Sequence, residues 1–543
     1  MPTIEVSRKM LEKLAGRKIA EGMLDRVKGE IEEENNGTIK LEIGDTNRPD
    51  LWSVEGVARV YREKGVPKLK LRKSGKNIIV DKTVETIRPY IAGFIARKVN
   101  ITEELLLDMI QLQEKIAENF GRKREKISIG IYNYTDAKFP LQYRAVEPLS
   151  IKFAPLEFEE EMNLHEILEK HPKGRQYGHI VKKHKLYPIF MDSTGQVLSF
   201  PPLINSNRLG RVTKGTSDVF IEATGSDIKP AILAVNIIAL ALQDRGASIE
   251  TIEVLYPYAT PLGKKIVTPL VFGEKISFPQ SLVQERLGLE LGADDAISLL
   301  RSMQYDAISK GKNITVTIPY YRRDVMHPFD VMEDIAVAYG YGNIQPLEVK
   351  SFTPGGFSHF TSLSERARRS MIGMGFQEIM SPILSNATAL QEKTLSGEKV
   401  IEIENYMSET YSAVRNSVLP SLLNLLGKNL HVEYPHRIFE FGECAVLDNG
   451  PKSAAMLAAC IADTSVGYED VSSVVDALLG MLGVKYELKP SKSGSFIDGR
   501  QAEIIIGKKP VGIVGEVHPQ VLQNWGIGTP VAAFEIDADG LIA

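Results

Sequence analysis

The chain has almost no cysteine: two in 543 residues, Cys444 and Cys460. Two thiols cannot build a disulfide framework or a four-cysteine zinc site. It lacks an excess of charge as well. Sixty-five Lys and Arg against 69 Asp and Glu leave a formal net charge of −4, so no whole-protein basic field captures nucleic acid or an anionic membrane. A polyanionic partner must be met by local basic patches such as Lys68 to Lys76 and Lys182 to Lys185. Long apolar runs are missing too. The longest, Ala231 to Leu242 with Asn236 inside it, falls short of the ~20 residues that cross a bilayer and reads as a buried helix. The start, Met1-Pro2-Thr3-Ile4-Glu5, lacks the charged and apolar regions of a signal peptide. A cytoplasmic location without a membrane partner is therefore expected.

What is present is ordinary for a folded chain. At 43% hydrophobic and 25% charged residues, the composition excludes disordered, collagenous and coiled-coil classes. At ~150 residues per domain the length predicts three to four domains. Turn clusters and composition shifts divide the chain into residues 1–90, 91–265, 268–347 and 354–543, four α+β blocks in tandem. Ser7 reads as an N-cap ahead of Met10, Leu11 and Leu14 at helical spacing. The turn formers Gly44 to Asp50 precede a helix from Leu51 to Arg59, and the basic stretch Lys68 to Lys76 reads as the first linker. In the last block a long helix, about Ser362 to Met374, leads into strands near 399–404, 437–447, 501–506 and 511–515.

The common catalytic fingerprints fail. There is no Gly-x-x-x-x-Gly-Lys-Ser/Thr phosphate loop and no dinucleotide glycine pattern after a strand. His165 and Glu166 open like a zinc-protease helix, but Glu169 stands where the second histidine belongs. Four histidines fall between 165 and 184, and they read as solvated or substrate-facing groups in preference to a metal cluster. The acids near 324 are sharper. Asp330, Glu333 and Asp334 are spaced i, i+3, i+4 and share a helical face, and Asp324 lies just before the helix. Four carboxylates converging there suit a hard cation such as Mg²⁺. The other reading is an N-terminal turn that favours acids through the helix dipole.

That run, Arg322 to Ile344, resembles phenylalanyl-tRNA synthetase β subunits. So do Gly44-Asp45-Thr46-Asn47-Arg48-Pro49-Asp50-Leu51 with Glu55-Gly56, His171-Pro172-Lys173-Gly174 with Tyr177-Gly178-His179, Pro201 to Ser206, and Phe220 to Gly225. The resemblance runs in order along essentially the whole chain and favours the archaeal and eukaryotic branch. It implies that Asp324, Asp330, Glu333 and Asp334 are Mg²⁺ ligands shared with an α subunit. It implies an editing domain over 91–265 that hydrolyses Tyr-tRNA(Phe), with Glu222 as acceptor for the phenol. Ser199, Asn205 and Thr224 would hold the amino-acid end or an ordered water, and His171, His179, Lys173 and Arg175 would face the tRNA end.

The last block resembles a class II synthetase domain, an antiparallel sheet, that has lost its chemistry. Arg437 and Glu440 stand in its second motif, but no arginine follows Arg500, so the phosphate clamp of the third motif is missing. Arg437 and Glu440 then read as remnants of the fold or an ion pair. The partners implied are an α subunit, which uses ATP, in an α2β2 assembly, together with tRNA(Phe). A free-standing aminoacyl-tRNA deacylase and a non-enzymatic tRNA-binding scaffold are the alternatives.

Overall fold

A computed structural model describes residues 2–62, 64–349 and 352–541. The expected block ends at residues 1 and 543 lie outside them. The chain divides into two units, 1–347 and 348–543, both mixing helices and sheets. Among the described residues no helix is long and apolar enough to cross a membrane.

The first unit opens with strand Thr3–Ser7, which pairs with Thr38–Ile43 in a three-stranded sheet. Ser7 Oγ accepts the Met10 N–H at 3.2 Å and so starts helix Arg8–Ala15, as the capping pattern predicts. The Gly44 to Asp50 cluster folds back on itself through a buried Arg48–Asp50 ion pair of 2.8 Å. The helix expected from Leu51 begins later, at Val54, after a short 3-10 turn at Pro49–Leu51. Gly56 is required there, because a Cβ would lie 1.7 Å from the Asp50 carbonyl oxygen.

A ten-stranded sheet follows. Its path runs Ile204–Asn205, Val197–Phe200, Tyr187–Met191, Leu141–Val146, Leu71–Val80, Ser248–Leu255, Tyr90–Arg97, Val219–Gly225, Ile127–Asn133. Lys265–Thr268 also pairs with Ser248–Leu255. The expected division at 90 therefore falls inside the region that builds this sheet. The Lys68 to Lys76 stretch is no linker either. From Leu71 it is a strand, parallel to both Ser248–Leu255 and Leu141–Val146. Its lysines stay in solvent while the backbone fills the ladder, and only Ile78 and Val80 are buried. The apolar run is the helix Ile228–Asp244, buried from Ile228 to Leu242 apart from Lys229 and packed on the sheet. The unit closes with sheet Lys275–Pro279, Asn313–Thr317, Asp306–Lys310 and helices Ser281–Leu287, Ala293–Ser302 and Pro328–Tyr339.

The second unit is built on a seven-stranded sheet, antiparallel except where Gln377–Glu378 meets His436–Leu447. The long strands His436–Leu447 and Pro451–Ala462 form a hairpin of twelve residue pairs. Helices His359–Gly373 and Tyr468–Leu482 pack with Phe439, Leu457 and Phe534 in one core, and Leu419–Lys428 packs with Ile438, Ala458 and Cys460 in another. Alternate residues of the same strands thus feed the two cores, as the period-2 geometry of a strand requires.

Candidate functional site

The two ends of the ten-stranded sheet are tied together by side chains. Asn205 Nδ2 donates to the Ile131 carbonyl at 3.1 Å, and Tyr132 Oη lies 2.8 Å from Ser199 Oγ. Beside this seam is a cavity of about 280 Å³, walled by helix Glu103–Lys115, strand Ile127–Asn133 and the Pro201 to Asn205 turn. Ser199, Asn205 and Glu222 line it, together with His171 and Lys173; Thr224 does not.

Glu222 sits in the Val219–Gly225 strand and is 2% exposed. Its cross-strand neighbours are two glycines, Gly93 and Gly130. A Cβ at Gly130 would stand 2.0 Å from Tyr132 Oη and 2.6 Å from Glu222 Oε1, so this glycine makes the room in which the two side chains meet. Tyr132 Oη donates to Glu222 Oε1 at 2.8 Å. Glu222 Oε2 is buried and has no hydrogen-bond partner. Burial pushes the Glu222 carboxyl up to about 7, against the pull of the Tyr132 hydrogen bond and the Arg88 charge. Burial and the neighbouring carboxylate hold the Tyr132 phenol well above its ordinary value, so it stays protonated.

Thr224 is fully buried one step behind the cavity. Arg88 Nε donates to Thr224 Oγ1 at 2.9 Å and Arg88 Nη2 to the Thr224 carbonyl at 2.7 Å. The residue that reaches the cavity from this group is Ser128, whose Oγ is 3.0 Å from Thr224 Oγ1. His171 caps helix Pro172–Tyr177 by accepting the Lys173 N–H on Nδ1 at 3.1 Å, which leaves the neutral ring its proton on Nε2. Burial lowers its pKa. His165 and His179 are exposed, and Arg175 is exposed with Nε on the Glu169 carbonyl at 2.7 Å.

Sequence reasoning missed Tyr132, Arg88, Ser128 and Arg124. Arg124 donates to the Leu203 carbonyl at 2.9 Å and the Glu114 carboxylate at 2.9 Å, fixing the turn that walls the cavity. Register supplies the signal for two of them. Ser128 is paired with Thr224, and Tyr132 lies two residues beyond Gly130, the partner of Glu222.

The four acids proposed as metal ligands do not converge. Arg322 binds Asp324 and Asp334 at once, and Asp334 also accepts the Tyr305 hydroxyl. Asp330 caps its helix by accepting the N–H groups of Met326 and His327 at 2.8 and 2.7 Å. Glu333 accepts from Tyr341 Oη at 2.6 Å and pairs with Lys28 at 2.9 Å. A guanidinium already neutralises two of the four, and among the described residues no three His, Cys, Asp or Glu side chains are placed to hold a metal ion. As this chain holds them, these residues do not fit Mg²⁺.

In the second unit Glu440 is buried, but its partners are Arg415 at 2.9 Å and Ser381 Oγ at 2.5 Å. Arg437 is exposed over the Phe376 ring and forms no pair with Glu440.

Two family models match the chain. One is described as the phenylalanyl tRNA synthetase beta chain CLM domain, over residues 347–538, and the other as the tRNA synthetase B5 domain, over 276–341. A phenylalanine–tRNA ligase β subunit of Pyrococcus horikoshii is 41% identical over 555 aligned positions, covering 99% of each chain. That of Pyrococcus abyssi is 40% identical over 554, again covering 99% of each. A solved N-terminal fragment of the P. horikoshii phenylalanyl-tRNA synthetase β subunit is 42% identical with a TM-score of 0.59, covering 63% of this chain and all of the fragment.

Proposed function

The chain belongs to the family of phenylalanine–tRNA ligase β subunits, and from that premise we propose that its cavity hydrolyses tRNA(Phe) wrongly charged with tyrosine. Tyrosine is phenylalanine plus one hydroxyl, and an apolar synthetic pocket rejects an added hydroxyl by only ~10²-fold. A second site that hydrogen-bonds the phenol supplies the missing discrimination. The observation that carries this reading is Glu222, which lines the cavity and whose buried Oε2 has no hydrogen-bond partner. A phenol O–H satisfies it. A phenyl ring buries it unpaired, at a cost of about 1–3 kcal/mol. Ser199 and Asn205 hold the amino-acid end or an ordered water. Thr224 acts from behind, through Ser128. A water positioned at the ester carbonyl is the attacking group, and Lys173 and His171 face the 3′ end of the tRNA.

The remainder of the chain is scaffold. Its seven-stranded sheet is of the class II synthetase kind without the chemistry, because Glu440 is spent on Arg415 and no arginine follows Arg500 to clamp a phosphate. Adenylation, with its ATP and Mg²⁺, belongs to the α subunit of a cytoplasmic α2β2 enzyme. The test supplies that enzyme with tyrosine, ATP and tRNA(Phe). Tyr-tRNA(Phe) accumulates with Glu222→Ala and not with the wild type; equal accumulation by both overturns the proposal.

A further inference from the structure

We infer that Tyr132 is a positioning residue that sets the specificity of this cavity, by holding Glu222 through Oε1 and leaving Oε2 as its unpaired acceptor. The inference rests on the hydrolytic reading above. Tyr132 is fully buried, stacked on Phe220 with ring centroids 5.7 Å apart and tilted against Phe190 at 6.1 Å. Its hydroxyl is therefore fixed in place, 2.8 Å from Glu222 Oε1 and 2.8 Å from Ser199 Oγ.

A phenol has one proton to give. When Glu222 is ionised its carboxylate takes that proton, because a charged acceptor outcompetes a hydroxyl. The same hydroxyl faces Ser199 Oγ as donor at 2.8 Å, so the Ser199 proton is not committed to Tyr132. What remains of the carboxylate for a ligand is Oε2, an acceptor without a partner. A ring bearing a hydroxyl donor is held, and a bare ring is not. The room for the Tyr132–Glu222 hydrogen bond comes from Gly130, where any Cβ would collide with both partners.

Protonation of Glu222 on Oε2 turns that oxygen from an acceptor into a donor, and the selective acceptor is lost. The groups that face Glu222 are few. They are Tyr132 on its own edge, Tyr143 from strand Leu141–Val146, and Arg88 ahead of strand Tyr90–Arg97. Arg88 acts by charge, four of its five N–H groups being spent on Thr224, Ser128 and the Glu125 carbonyl. Tyr132 is the one hydrogen-bond donor to the carboxylate among the described residues.

The test is single-turnover hydrolysis of Tyr-tRNA(Phe) and Phe-tRNA(Phe) by the complete α/β enzyme, wild type and Tyr132→Phe. The Tyr:Phe ratio of kcat/KM falls roughly tenfold in the variant. The pH of half-maximal Tyr-tRNA hydrolysis rises, because Glu222 has lost its donor. Equal loss on both esters in Tyr132→Phe, with no movement of the pH profile, overturns the inference while leaving the hydrolytic reading intact. A wild type that hydrolyses neither ester overturns the reading and the inference together.

Discussion

Glu222→Gln makes the cavity's chemistry measurable as stability. The wild-type carboxyl is carried from an ordinary 4.5 to about 7 in the folded chain. At about 1.4 kcal/mol per pH unit, ionising it in place costs up to about 3 kcal/mol. The sign follows from the protons bound. Below pH 4.5 the acid is neutral both folded and unfolded, and nothing is lost. From 4.5 to 7 the unfolded chain releases the proton first, so stability falls as pH rises, and above 7 the full cost is present. Glutamine keeps an oxygen for Tyr132 and never ionises. The melting temperature of Glu222→Gln is expected to match wild type near pH 4.5 and to exceed it by several degrees at pH 8. The unfolding transition of the unit that holds the ten-stranded sheet is to be followed across that range by calorimetry. Hydrolysis of Tyr-tRNA(Phe) is lost in the same variant, because an amide N–H now faces the phenol. A difference in melting temperature that does not vary with pH would refute the reasoning, since it would mean that Glu222 is not a buried ionising group.

Gly130→Ala places a methyl against Tyr132 Oη and Glu222 Oε1; it is expected to cost about 1–3 kcal/mol in denaturant unfolding and to abolish Tyr-tRNA hydrolysis. Arg322→Ala leaves Asp324 and Asp334 without their shared guanidinium, and about 3–5 kcal/mol of stability is expected to disappear. In titration calorimetry the isolated β chain gives no Mg²⁺ binding at Asp324, Asp330, Glu333 and Asp334, and heat of binding abolished by Asp334→Asn would contradict that geometry.

Ser199, Asn205 and Glu222 were legible in the sequence through motif resemblance, and the structure brings them to one cavity. Thr224 was legible as a neighbour of Glu222 on the same strand face, but not that Ser128 stands between it and the cavity. Tyr132 could not be read at all. It lies 90 residues before Glu222, and the two meet only because Ile127–Asn133 pairs with Val219–Gly225 in a register that opposes Gly130 to Glu222. Local patterns carry no information about which distant strands pair. The acids near 330 show the opposite failure. Helical spacing rightly places Asp330, Glu333 and Asp334 on one helix, but it is silent about Arg322 and Lys28, which pair with Asp334 and Glu333. The Lys68 to Lys76 stretch misled because basic composition resembles a linker, although strand formation asks only for backbone partners.

The most direct measurement is the single-turnover rate at which the purified α/β enzyme releases tyrosine from Tyr-tRNA(Phe), set beside release of phenylalanine from Phe-tRNA(Phe). Rapid release of tyrosine, slow release of phenylalanine and loss of the difference in Glu222→Ala is the predicted result. Equal rates for the two esters, or a difference that survives Glu222→Ala, would contradict the account.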